Sequence, residues 1–287
     1  MIYIVIPVHN RLGYTQDCLE SLEKQVYRDF KIIVVDDGST DGTRSFIQTK
    51  FPNVILIEGN GELWWTGATN EGIRLALKEA DPESDFILTL NNDLVVSEDY
   101  LLQLIHGYEK KKPCLIGSLS VDVDDKRRVH FAGTHWNRHN AKYRPAVDIK
   151  MDLNELQENA PFIESTLLPG RGVLIPIKIF NEIGLYDQKN FPQYMADEDF
   201  SLRCRNNGHK LFVSTTAIVY SHIRSTGLSN LHERKTWKYW VDLVSSRRSP
   251  NNLKTRWNWA RKHSLLPPFY FLIDYSRIIY SKLTRNL

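Results

Sequence analysis

The sequence predicts an α/β fold: a mixed, mostly parallel sheet flanked by helices, with a helical extension at its C-terminal end. Three observations carry that reading. Short β-branched apolar runs alternate with stretches of helical periodicity through the first third of the 287 residues, and this spacing builds right-handed βαβ units. Polar, acid-rich tips follow the apolar runs. Past Leu231 the composition changes, with Trp237, Tyr239, Trp240, Trp257 and Trp259 set among arginines and lysines.

Ile2-Tyr3-Ile4-Val5-Ile6 is an unbroken β-branched run, a buried strand stopped by Pro7. Cys18, Leu19, Leu22 and Val26 fall at helical spacing and predict a helix over Thr15–Gln25. Lys31–Val35 reads as a second strand that runs into Asp36-Asp37-Gly38-Ser39. A helix over Thr43–Thr49, a strand over Val54–Ile57, a helix over Asn70–Lys78 and a strand over Asp85–Leu90 follow. Residues 118–165 read as less regular, with Asp122-Val123-Asp124-Asp125 and Thr134–Arg144 on loops. Order returns with a turn at Pro169-Gly170-Arg171-Gly172 and a strand over Val173–Ile177. Helices over Lys178–Ile183 and Asp197–Asn206 and a strand over Leu211–Tyr220 complete the pattern.

Bulk properties narrow the class. The chain is 42% hydrophobic and 25% charged, enough for one large core or one domain with an appendage. A net charge of +3 is too mild to argue for nucleic acid. Cys18, Cys114 and Cys204 are odd in number and far apart, which reads as reduced thiols in a cytoplasmic protein. Met1–Val8 lacks a basic leader and a cleavage site, and no apolar stretch of about 18 residues exists to span a bilayer.

In open α/β sheets ligands bind beyond the carboxyl ends of the strands. Three polar tips converge there: Pro7–Arg11, Asp36–Asp41 and Asn91–Asp93. Asp36 and Asp37 can accept hydrogen bonds from a base or ribose, and Gly38 admits a close backbone; Asp-Gly-Ser is also an ordinary turn. Asp93 offers a charged oxygen to a hard cation such as Mg²⁺ or Mn²⁺, with Asn91 or Asn92 beside it; Asp93 as a helix cap is the plainer reading. Asp197-Glu198-Asp199 repel one another, and burial would raise at least one pKa. One of them can serve as general base, and Arg203 stands four residues from Asp199 for a helix-face pair. His222, at a strand end before Ser225-Thr226-Gly227, can join Asp93 at a metal.

Together these segments resemble the large family 2 of glycosyltransferases, which have the GT-A (nucleotide-diphospho-sugar transferase) fold with its Rossmann-like sheet. The match runs through Ile4–Arg11, Val34–Asp41, Leu90–Val95, Gly184–Asp187, Asp197–Gly208 and Val219–Gly227. It implies a catalytic domain over 1–230, with 1–115 binding the nucleotide sugar and 116–230 the acceptor, and an extension over 231–287. It implies inverting transfer of a hexosyl or rhamnosyl group from a UDP- or dTDP-sugar, with Mn²⁺ or Mg²⁺. Pro7, His9 and Arg11 match the nucleotide-contacting loop, Asp36 and Asp37 the base and ribose contacts. Asp93 matches the last acid of the metal motif, whose first acid is Asn91 here. His222 matches a histidine at the metal or diphosphate. Asp197 matches the catalytic base; the preceding glutamate of the motif is Ala196, and Asp199 remains a rival. Gly61–Asn70 looks like a feature of bacterial cell-surface polysaccharide enzymes. There Gly67 and Asn70 would admit the diphosphate and Trp65 would stack on a sugar or base; two core tryptophans closing a helix onto the sheet is the other reading. Arg171 is a further candidate contact to donor or acceptor.

The aromatic, basic segment 231–287 suits an interfacial helix on anionic lipid, which would bring a lipid-linked glycan acceptor to the site on the inner face of the cell membrane. It equally suits packing on the core or on a second subunit. Asn91 and Ala196 also leave open a nucleotide-sugar-binding partner subunit without catalysis.

Overall fold

The computed structural model describes residues 1–222 and 236–284. The strands and helices of the N-terminal part are β1 (Ile2–Val8), α1 (Leu12–Glu23), β2 (Phe30–Asp36), α2 (Thr43–Lys50), β3 (Ile55–Glu58) and α3 (Trp64–Glu79). Next come β4 (Phe86–Thr89), β5 (Leu94–Val96), α4 (Tyr100–Lys111), β6 (Cys114–Asp122), β7 (Val129–Phe131), β8 (Thr134–Asn137) and β9 (Lys142–Pro145). The remainder comprises α5 (Leu153–Asn159), β10 (Phe162–Glu164), β11 (Val173–Pro176), α6 (Ile177–Ile183), α7 (Ala196–Asn206) and β12 (Lys210–Ser221). Three helices close the chain: α8 (Trp237–Ser245), α9 (Leu253–His263) and α10 (Pro267–Thr284).

One sheet runs β10-β12-β6-β11-β4-β1-β2-β3, with β5 on β12 and β7 on β6. β1 pairs in parallel with β2 and β4, and β2 with β3; β11 is antiparallel between β4 and β6. β1 shows why the sheet is buried on both faces. Ile2, Ile4, Ile6 and Val8 pack with Cys18, Leu19 and Leu22 of α1 and with Leu101 and Leu104 of α4. Tyr3 and Val5 point the other way, toward Ala68, Ile73 and Ala76 of α3, as the two-residue period of a strand requires. α3 lies close on this face: a Cβ added at Gly72 would come within 2.5 Å of Val5 Cγ1.

The parallel first half matches the expected alternation, but two parts differ. Residues 118–165, expected to be irregular, hold most of β6, the β8–β9 hairpin, α5 and β10. β6 reads Cys-Leu-Ile-Gly-Ser-Leu-Ser-Val-Asp, and its glycine and two serines hide a strand that is buried for eight of nine residues. Ser118 donates to the Gly172 carbonyl (2.7 Å), and Gly117 leaves room for Leu168, whose Cδ2 a Cβ would meet at 2.6 Å. The second difference is α3, expected over Asn70–Lys78, which begins at Trp64.

The C-terminal helices pack on the sheet domain. Trp259, Ala260 and Tyr270 belong to the same core as Val5 and Val35. The Tyr270 hydroxyl oxygen accepts from both Trp136 Nε1 (2.9 Å) and Trp259 Nε1 (3.1 Å). Ser225, Thr226, Gly227 and the expected 230/231 boundary lie outside the described residues. Among the described residues no helix is long and apolar enough to cross a membrane, and all three cysteines are free and buried.

Candidate active site

The tips of β1 and β2 are laced together at the carboxyl edge of the sheet. Asn10 and Arg11 turn the chain with φ of 58° and 69°. The Asn10 N–H donates to Ser39 Oγ (2.7 Å), Thr40 N–H donates to Asn10 Oδ1 (2.8 Å), and Leu12 N–H donates to Asp41 Oδ2 (2.9 Å). His9 Nδ1 lies 2.6 Å from the Asp37 carbonyl oxygen. This leaves Pro7 half-buried and His9 and Arg11 exposed at the rim.

The two acids of the second tip are engaged. Asp36 is fully buried; its carboxylate accepts from the Ser39 N–H (3.1 Å) and pairs with Arg44 (3.3 Å). Asp36, expected at a base or ribose, thus also builds the turn at the tip of β2. Asp37 Oδ1 accepts from the Gly61 N–H (2.8 Å) and Oδ2 from the Trp64 N–H (2.9 Å). A carboxylate at a helix N-terminus satisfies orphan donors and favours the dipole, and this remote cap accounts for the early start of α3. Gly38 is required beneath it: at φ 71° a Cβ would stand 2.9 Å from the Gly61 nitrogen.

α3 then carries the link to the rest of the site. Trp65 Nε1 donates to Asn91 Oδ1 (2.9 Å), and its ring lies against Gly170, where a Cβ would come within 2.4 Å. Its ring also meets Tyr186 edge-on at 5.6 Å. Gly67 and Asn70 pack against the Tyr186–Gln188 segment. A Cβ at Gly67 would meet Gln188 Nε2 at 2.7 Å, and the Asn70 amide exchanges bonds with the Tyr186 backbone (3.0 and 3.1 Å). Both residues, expected beside the diphosphate, are buried in α3.

Beyond β4, Asn92 Nδ2 donates to Thr15 Oγ1 (2.9 Å), which anchors this tip on α1. Asp93 is buried with Arg11 3.6 Å from its carboxylate. The antiparallel β5–β12 pair brings the end of β12 beside it, where the His222 N–H donates to the Asp93 carbonyl (3.2 Å). Among the described residues no group of three or more histidine, cysteine or acidic side chains is placed to hold a metal ion. A carboxylate and an imidazole are donors of types that a divalent cation accepts.

The three acids of α7 have three different environments. Asp197 Oδ2 accepts from the Gly170 N–H (2.7 Å) and Oδ1 from the Glu198 N–H (2.9 Å). Burial pushes its pKa up, against the pull of those bonds and of Arg171. Glu198 accepts from the Tyr143 hydroxyl (3.1 Å); burial and the neighbouring Asp197 charge push it up to about 7. Asp199 is fully buried, 2.9 Å from Arg203 Nε and 2.7 Å from both Lys262 Nζ and His263 Nε2. Burial alone would raise it, but the His263 and Lys262 hydrogen bonds and the Arg203 charge hold it below the usual carboxylate range. Asp199 thus ties α7 to α9 through Lys262 and His263.

Asn91, Trp65, Gly170 and Asp197 therefore form one continuous line of contacts, which Asp37 joins at Trp65 through the adjacent Trp64. Sequence reasoning missed Tyr143 and singled out Glu198 only within the acid run; the hairpin that brings Tyr143 to Glu198 left no periodic signal.

Residues 3–182 match the family profile described as Glycosyl transferase family 2, and the chain belongs to that family. It is 22% identical over 257 residues to the glycosyltransferase GlyA of Streptococcus pneumoniae, covering 86% of this chain and 34% of that one. It thus spans about a third of the length of the pneumococcal relatives it matches. A PGL/p-HBAD biosynthesis glycosyltransferase of Mycobacterium bovis is 24% identical, over 80% of this chain and 79% of its own. The crystal structure of GalNAc-T7 with UDP, GalNAc and Mn²⁺ has a TM-score of 0.61 at 16% identity, covering 77% of this chain and 43% of that one. The fold is GT-A.

Proposed function

We propose that the chain is an inverting glycosyltransferase that moves a hexosyl or rhamnosyl group from a UDP- or dTDP-sugar to a hydroxyl of a lipid-linked glycan in bacterial surface polysaccharide synthesis. The observation that carries this reading is the line from Asn91 through Trp65 and Gly170 to Asp197. It joins the strand tips, where a diphosphate belongs, to a carboxylate with a raised pKa, which suits a base. The family membership and the bacterial relatives support the reaction class, and the UDP and Mn²⁺ of GalNAc-T7 support a nucleotide and a cation.

In this mechanism Pro7, His9 and Arg11 form the rim that receives the nucleotide, and Asp37 holds the Gly61–Trp64 loop behind it. Asp197 orients the acceptor hydroxyl and takes its proton as the oxygen attacks the anomeric carbon from the face opposite the diphosphate. The Gly170 N–H fixes the carboxylate for that task. Arg171, which lowers the Asp197 pKa, steadies the ionised form. A divalent cation held by Asp93 and His222 would supply charge neutralisation on the leaving diphosphate.

The tail supports the lipid-linked acceptor. Leu265 and Leu266, then Phe269, Leu272, Tyr280 and Leu283 of α10, remain exposed with Arg277 and Lys282 in the same helix. Exposed apolar side chains with nearby cations suit the surface of an anionic membrane.

A thermal-shift panel of UDP-, GDP- and dTDP-sugars, with and without Mn²⁺, tests the donor site, since a ligand of the folded state raises Tm. A UDP- or dTDP-sugar should raise Tm, more so with Mn²⁺, and Asp93→Ala should remove the Mn²⁺ increment. No shift with any nucleotide sugar would sink the reading.

A further inference from the structure

The β8–β9 hairpin and the first turn of α7 enclose a cleft of about 260 Å³ that the donor site leaves unused. Its walls include His130 and Phe131 of β7, Thr134 and Tyr143 of the hairpin, and Arg171 and Glu198. It adjoins the proposed base directly: Glu198 follows Asp197 in the chain, and the Pro169–Arg171 loop, whose Gly170 N–H binds Asp197, forms another side.

The volume falls just below the range of pockets for drug-sized ligands, which suits one ring rather than a chain of them. The chemistry is that of a polyol site. Two aromatic rings offer apolar faces, a guanidinium donates, and a carboxylate accepts. Glu198 is held by the Tyr143 hydroxyl through Oε2 at 3.1 Å, so its other oxygen keeps acceptor capacity. Unlike Asp199, it makes no ion pair within 4 Å among the described residues. A carboxylate fixed by a tyrosine at the mouth of such a cleft is placed to select hydroxyls, because a site built to hydrogen-bond a hydroxyl rejects the analogue that lacks it.

We propose that this cleft holds the terminal sugar ring of the acceptor glycan and that Glu198 is its specificity-determining residue, binding a ring hydroxyl neighbouring the one that Asp197 deprotonates. This rests on the transferase reading above. Glu198 then acts on which acceptor is taken, and Asp197 on how fast the hydroxyl reacts.

The test is saturation-transfer NMR titration of methyl glucoside, galactoside, mannoside and rhamnoside against the full chain with UDP and Mn²⁺ present. At least one glycoside should bind the wild-type protein. Glu198→Gln keeps shape and a partner for Tyr143 but loses the charged acceptor, and it should weaken that glycoside about tenfold or more. Phe131→Leu, which removes an aromatic wall without touching Glu198, should weaken it too. Both variants should keep the wild-type Tm rise with the nucleotide sugar. The proposal is overturned if no glycoside binds, or if Glu198→Gln binds as the wild type does. Failure of the nucleotide-sugar shift in the wild type would instead strike the transferase reading, so the two failures are told apart.

Discussion

Two runs of neighbouring acids, Asp36-Asp37 at the tip of β2 and Asp197-Glu198-Asp199 at the start of α7, look alike in sequence and are treated differently by the fold. In the first, both carboxylates are bound by backbone N–H groups and Arg44, so they shape the loops at the carboxyl edge of the sheet. In the second, one acid is anchored by three cationic or imidazole side chains, one by a tyrosine, and one by two N–H groups beside a cleft. The difference teaches that a carboxylate's task follows from what reaches it from far along the chain, not from its neighbours in sequence. Asp37 and Asp199 are structural because Trp64 and His263 arrive 27 and 64 residues away.

That comparison breaks most visibly at Asp199. Asp199→Ala strands Lys262, His263 and Arg203 around a vacated buried site, and removing one partner of such a pair costs about 3–5 kcal/mol. Chemical denaturation should register that loss; a change within error would end the anchoring account. Asp37→Ala comes next. It leaves the Gly61 and Trp64 N–H groups without their acceptor, costing about 2 kcal/mol, with faster hydrogen exchange confined to the first turn of α3. Unaltered exchange there would show that α3 starts without this remote cap.

A further effect is in pH. Asp199 has a depressed folded pKa, so its contribution is present above the ordinary aspartate value of about 3.9 and drains away as pH falls toward the folded value. Glu198 has the opposite sign. Its folded pKa is raised to about 7, so the folded state binds the extra proton and stability declines as pH rises from about 4.3. Over that window wild type should lose stability relative to Glu198→Gln, and a parallel pH dependence of the two would contradict the assignment.

The sheet was largely legible in the sequence because β1, β2 and β4 are short apolar runs between turn residues, and burial on both faces demands just such runs. β6 was not, since Gly117, Ser118 and Ser120 interrupt its apolar run, and Gly117 and Ser118 are there to fit Leu168 and Gly172, partners that no local pattern announces. In the candidate site, Asp93, Asp197 and His222 stand at element ends as the sequence placed them, and the Asp199–Arg203 pair was readable from its four-residue spacing. The parts played by Asn70, Gly67, Asp36 and Glu198 depend on Tyr186, Gln188, Arg44 and Tyr143, each brought in by tertiary structure. The segment 231–287 shows both limits: its tryptophans announced a helical region, but only the fold places Trp259 in the core and leaves Leu272 exposed.

The central claim is that Asp197 is the carboxylate left to accept a proton. Its most direct test is the rate of nucleoside diphosphate release from the nucleotide sugar that gives the largest thermal shift, comparing wild type with Asp197→Asn. The account predicts a fall of about 10²–10⁴-fold, the usual worth of a general base, with the donor-induced shift unchanged. Release from Asp197→Asn at close to the wild-type rate would contradict it.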